Sequence, residues 1–89
     1  MLHLIRTYSA GVHVGELQSQ SGAVVKLKNA RRIWRWRGAN TLNELANHGA
    51  AREWTRISEP VPEITLTEAI EVIPVSDAAA KNLSESRWG

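Results

Sequence analysis

The sequence predicts a small α+β domain: an antiparallel β-sheet or partly open barrel of about 5–6 strands with two short helices. Three observations lead there. Stretches rich in β-branched and aliphatic residues fill the first 37 positions and return over 64–75. Two short segments carry helix start signals, and 89 residues leave room for one modest core. A core of that size leans on assembly, so a homo-oligomer is expected.

Leu2 to Tyr8 is aliphatic with β-favouring Thr7 and Tyr8, and reads as the first strand. Ser9-Ala10-Gly11 follows as a turn, its glycine available for a positive φ. His13 to Ser19 continues as a second strand, with Val14 and Glu16 on one face and His13, Gly15 and Leu17 on the other. The two form a hairpin. After a polar turn at 19–22, Ala23 to Asn29 sets Val25 and Leu27 against Lys26 and Lys28, the pattern of a strand with one wet face. Asn29 reads as a short bend, after which Ala30 to Arg37 forms a fourth strand and closes a meander.

Gly38-Ala39-Asn40 breaks that strand, and Thr41-Leu42-Asn43-Glu44 has the capping-box pattern. Leu42, Leu45 and Ala46 then fall at helical spacing before Asn47-His48-Gly49 stops a helix of about two turns. Ala50 to Ser58 fits either a helix or an extended segment, since Trp54 and Ile57 sit three apart. Glu59-Pro60-Val61-Pro62 reads as a connector, because both prolines lack a donor and restrict the residue before them. Ile64, Leu66 and Ala69 to Val75 supply one or two further strands, interrupted at Thr67-Glu68 and ended by Pro74. Ser76 caps a last helix with Asp77 in its first turn. Residues 1–84 thus make a single domain and 85–89 a tail.

The net charge of +2 is too small to argue for wrapping a polyanion. Its distribution says more. Residues 1–56 carry nine positive and three negative groups (+6), whereas 57–89 carry two positive and six negative (−4). The halves attract, which turns the basic half from a long-range track into a local site. The absence of cysteine excludes disulfides, thiolate chemistry and cysteine-containing metal sites, and suits the cytoplasm. The first residues lack a signal-peptide pattern, and no apolar run approaches the roughly 20 residues of a spanning helix, so a soluble protein with no membrane partner is expected.

Catalytic and cofactor motifs are missing. His3, His13 and His48 do not approach metal-ligand spacing, so neither a metal nor a cofactor is expected. Ser9 and His13 could be drawn into a triad with an acid, but nothing marks a nucleophile elbow or an oxyanion loop. Gly11 and Gly15 complete neither a dinucleotide fingerprint nor a phosphate loop, and Glu68 with Glu71 reads as a solvated edge. The reading is a binding protein, not an enzyme.

The densest chemistry lies in Ala30-Arg31-Arg32-Ile33-Trp34-Arg35-Trp36-Arg37-Gly38, four arginines and two tryptophans in nine residues. In a regular strand Arg31, Ile33, Arg35 and Arg37 share one face, opposite Arg32, Trp34 and Trp36. The arginines are forked donors for phosphate, and each of Trp34, Trp36 or Trp54 can stack a base for roughly 1–3 kcal/mol. The turn at Tyr8, Ser9, Ala10 and Gly11 offers backbone amides and a hydroxyl, with His13 just beyond it. The candidate ligand-binding residues are therefore Tyr8, Ser9, Ala10, Gly11, His13, Arg31, Arg32, Trp34, Arg35, Trp36 and Arg37. The competing reading makes the tryptophans core or interface anchors, the arginines their solvated neighbours and the turn a plain hairpin reversal.

The segments Arg6-Thr7-Tyr8-Ser9-Ala10-Gly11-Val12-His13-Val14-Gly15 and Ala30 to Ala39, with Leu42, Leu45-Ala46, Ile64, Leu66 and Ile70-Glu71-Val72-Ile73-Pro74, also carry a resemblance. Over most of residues 5–83 the chain resembles a family of small phage and prophage proteins catalogued as a domain of unknown function. It departs from that pattern at Arg35, where a bulky or aromatic residue is expected between the tryptophans, and in the polar segment 52–58. The resemblance brings no assigned activity. It implies a phage accessory protein in the host cytoplasm, and the expectation is one that binds a cyclic or oligomeric nucleotide and sequesters this immune signal uncleaved, with pockets at subunit interfaces. The alternatives are an inhibitor that docks on a host defence protein through its Trp/Arg surface, and a DNA-binding accessory factor, which the modest charge disfavours.

Overall fold

Alternation carries the N-terminal third of the chain into antiparallel ladders, as its composition demands. The computed structural model describes residues 2–36, 41–50 and 55–84. In chain order they form β1 (Leu2–Thr7), β2 (Val12–Ser21), β3 (Val24–Arg35), α1 (Leu42–His48), β4 (Arg56–Ile57), β5 (Val61–Leu66), β6 (Ala69–Pro74) and α2 (Asp77–Ser84). The strands build one open antiparallel sheet in the order β4-β3-β2-β1-β6, with β5 pairing a second stretch of β3. This is the small α+β fold expected from the sequence.

The two middle strands expected on either side of Asn29 are a single strand. Asn29 takes a positive φ of 50° and sits at a bulge, where Val14 pairs with Arg31 but Glu16 already pairs with Lys28. Gly15 fits the same crease: a Cβ there would lie 3.1 Å from both the Ala30 Cα and the Lys28 carbonyl oxygen. A second irregularity follows between Leu17 and Ser19. Together they fold the β2–β3 ribbon over. A straight ten-residue strand would hold its ends about 30 Å apart, yet Ala69 pairs with Thr7 beside the β1–β2 turn and donates its amide to Ala23 at the ribbon's tip, 3.0 Å.

This fold-over gives the sheet two covered sides. On one, α1 and α2 close a cluster of Leu4, Val14, Ile33, Leu45, Ile57, Val75, Ala79 and Leu83. On the other, the folded ribbon and β5 enclose Ile5, Val25, Leu27, Ala30 and Leu66. We call these the helix side and the ribbon side. Both helix starts match their sequence signals, with Glu44 N donating to Thr41 Oγ1 (3.2 Å) and Ala79 N to Ser76 Oγ (3.1 Å). Asn82 clips α2 to the end of α1, accepting from Ala50 N and donating to Ala50 O.

Two expectations need correction. Val61 and Pro62 belong to β5 rather than to a connector; among the described residues β5 pairs only with β3, and such an edge strand tolerates a proline whose missing donor falls on its free side. The ambiguous stretch before Ser58 contributes the extended pair β4, while 51–54, Trp54 among them, lies outside the described residues. Among the described residues no helix is long and apolar enough to cross a membrane.

Candidate functional site

The last residues of β3 set the geometry of the site, and one extra residue decides it. Ile33 pairs with Ile57 and Arg35 with Arg56, so Trp34 is inserted without a partner as a bulge. The consequence is visible in the packing. Ile33 is buried on the helix side, and Trp36, three residues on, packs against that same cluster, which a strand of period two forbids. Trp34 and Arg35 together face the ribbon side, with Arg32. The expected division is thus corrected: Arg31, Ile33 and Trp36 share the helix side, and Arg32, Trp34 and Arg35 share the other.

On the helix side the polar groups are engaged. Arg31 donates from Nε to Ser58 O (2.9 Å) and from an Nη nitrogen to Leu83 O (3.5 Å), tying β3 to the segment after β4 and to the end of α2. Burial lowers its pKa from the ordinary arginine value, but arginine remains charged. Trp36 lines a cavity of about 450 Å³ between the sheet and α1, together with Leu42, Asn43 and the Arg6–Glu71 ion pair.

On the ribbon side the same residue types stay open. Arg32 and Arg35 are exposed, neither forms an ion pair among the described residues, and Trp34 keeps 52% of its surface in contact with solvent. Arg56 is the register partner of Arg35 and follows Thr55, whose carbonyl it contacts at 3.3 Å. Next to this ledge lies a cleft of about 240 Å³ lined by His13, Ala30, Arg31, Arg32, Ser58, Glu59, Val61 and Ile64. Ser58 fixes its rim: its hydroxyl accepts from Arg32 N (2.8 Å) and its own amide donates to Arg32 O (2.8 Å).

His13 forms part of the cleft wall and is 1% exposed. Its Nε2 accepts from Arg32 Nε at 3.2 Å. Burial first, and the adjacent Arg32 charge second, lower its pKa to about 4, so the ring is neutral at pH 7.

The Tyr8–Gly11 turn is stitched into the fold. Ala10 N donates to Thr7 Oγ1 (2.9 Å), Tyr8 N to Glu68 O (3.0 Å), and the Ser9 hydroxyl to the Glu68 carboxylate (2.6 Å). A carboxylate at this turn opposes an anion there. Of the expected site residues, the structure therefore joins His13 to Arg32, places Trp34 and Arg35 farther along the same side of β3, sends the Arg31 and Trp36 side chains to the helix side, and leaves Tyr8, Ser9, Ala10 and Gly11 in a separate, internally bonded turn; Arg37 lies outside the described residues. Arg56, Ser58, Glu59 and Val61 join the neighbourhood without a sequence signal. They come from the stretch that alternation left ambiguous and from the proline segment.

Among the described residues no three His, Asp or Glu side chains converge as metal ligands. The model of the family described as Domain of unknown function (DUF6948) matches residues 3–83, and the chain belongs to that family. No curated protein and no solved structure matches the chain.

Proposed function

Since membership of that family assigns no activity, we propose from the geometry that the protein binds a phosphate-bearing planar small molecule of the nucleotide class and does not cleave it. One observation carries the reading: the bulge at Trp34 brings Arg35 to the side that Arg32 and Trp34 already share, and Arg32 lines an open cleft there. Arginine forks match phosphate oxygens, and an exposed indole offers a face to a base. Among the described residues the site pairs no nucleophile with a base, which supports binding without turnover. In that role the protein acts by holding its ligand, as a sequestering protein does.

A thermal-shift screen against cyclic mono-, di- and trinucleotides and ADP-ribose derivatives tests this, because a ligand bound to the folded state raises Tm. The expected result is a rise with at least one nucleotide, recovered intact after heat denaturation. Arg35→Glu should abolish the rise while leaving the unliganded Tm unchanged, since Arg35 is exposed and outside the core clusters. A flat panel would overturn the reading and promote the surface to a protein-docking face. Recovery of a cleaved product would make the protein an enzyme.

A further inference from the structure

His13 is an unusual residue to bury. It occupies a place where a leucine or phenylalanine would fill the volume without a polar atom to satisfy, and its Nδ1 is buried with no partner among the described residues. Its compensation is a single interaction. Arg32 faces it as its register partner on β3, and Arg32 Nε donates to Nε2. An arginine N–H cannot accept, so Nε2 is the bare nitrogen and the ring proton sits on Nδ1.

That contact constrains which edge of the guanidinium is free. With Nε tied to the imidazole, the two Nη nitrogens form the edge left for a ligand, and among the described residues they bond to nothing. The Arg32 backbone is held too, through both bonds to Ser58. We propose that His13 is a positioning residue for the anion site: its Nε2 aims the Arg32 fork along the ledge, so that arginine freedom is lost on folding rather than on binding. The inference rests on the reading of the Arg32–Trp34–Arg35 ledge as the ligand site.

A pH dependence follows from the same geometry. The charged groups that share the cleft with His13 are Arg32 from β3 and Glu59 from the segment before β5, whereas Arg31 lines the cleft but carries its guanidinium to the Leu83 carbonyl on the helix side; β1 contributes Ile5 and β5 contributes Val61 and Ile64. Protonating His13 removes the acceptor and sets a second cation against Arg32. The fork is then released.

The dinucleotide UpU is a suitable probe, because its phosphodiester charge does not titrate between pH 3 and 7.5. Wild-type protein, checked for folding by circular dichroism, should bind UpU about tenfold more weakly at pH 3, one unit below the His13 pKa of about 4, than at pH 7.5. His13→Gln places an amide oxygen where Nε2 was and does not titrate, so it should bind to within about twofold at both pH values. His13→Phe keeps the volume without the acceptor, and should stay folded while binding about tenfold more weakly at pH 7.5. Full affinity in His13→Phe, or a wild-type pH dependence in His13→Gln, would overturn the proposal. If wild-type protein ignores UpU, the ligand reading fails for phosphodiesters, and the positioning is judged by NMR alone: slowed exchange of the Arg32 Nε–H relative to that of Arg35 supports it, and equal exchange sinks it.

Discussion

The two sides of β3 carry the same chemistry at its C-terminal end, arginine and tryptophan on each, and treat it in opposite ways. On the helix side Arg31 bonds to two backbone carbonyls and Trp36 packs against the cluster of Ile33 and Leu83. On the ribbon side Arg32, Trp34 and Arg35 face solvent, and one of them is held by a neutral histidine. Residue type cannot tell structural from available side chains here. A one-residue insertion can, because it reverses the parity of everything after it.

The comparison breaks first at the tryptophans. Trp36→Ala should cost about 3 kcal/mol of unfolding free energy through the cavity it opens, whereas Trp34→Ala should cost less than about 0.5 kcal/mol. Chemical denaturation of the two variants checks this. Similar losses in both would mean that Trp34 is also a packing residue and would remove it from the ligand site.

The arginines give a smaller contrast of the same kind. Arg31→Met leaves the Ser58 and Leu83 carbonyls without their donor and should destabilise by about 2 kcal/mol, while Arg35→Ala should change stability by less than about 0.5 kcal/mol. Ligand binding should reverse the order of the two. An Arg31→Met variant as stable as wild type would show that the carbonyls are satisfied otherwise.

Much of this contrast is hidden from the sequence, and for a physical reason. The hairpin, the capping signals at Thr41 and Ser76, the break at Thr67-Glu68 and the Arg/Trp run all announce themselves through local pattern. Bulges do not, since they answer to what the strand must reach. Asn29 carries a weak sign, being a residue that tolerates positive φ. At Trp34 the sign is the spacing of Ile33 and Trp36, two apolar residues three apart in a strand, which only an inserted residue can place on one side. Arg56 and Ser58 reach the ledge through tertiary pairing alone.

His13 adds a pH test that sharpens the ribbon side. Its folded-state pKa of about 4 lies below the ordinary 6.5, so the unfolded chain takes up the proton first. Its contribution to stability is therefore complete above about pH 6.5 and is lost as pH falls toward 4. The drop in Tm between pH 7 and pH 5 should be about 10 °C larger in wild type than in His13→Gln. Parallel Tm curves would mean that the imidazole titrates alike in both states, and that Arg32 does not face a neutral acceptor.

The smallest expected effect is the most discriminating. Deleting Trp34 outright removes the inserted residue, leaving Ile33, Arg35 and Trp36 in plain alternation: inside, outside, inside. Both helix-side residues keep their places, so the fold should survive at a cost below about 1 kcal/mol, although a residue is missing from the C-terminal end of the longest strand. Without the bulge, the same deletion would exchange the sides of Arg35 and Trp36, drive a charge toward the cluster and unfold the domain. A stable deletion variant that still binds a small anion through Arg32 and Arg35, but no longer discriminates a nucleotide from inorganic phosphate, would assign the stacking to Trp34 and the charge recognition to its neighbours.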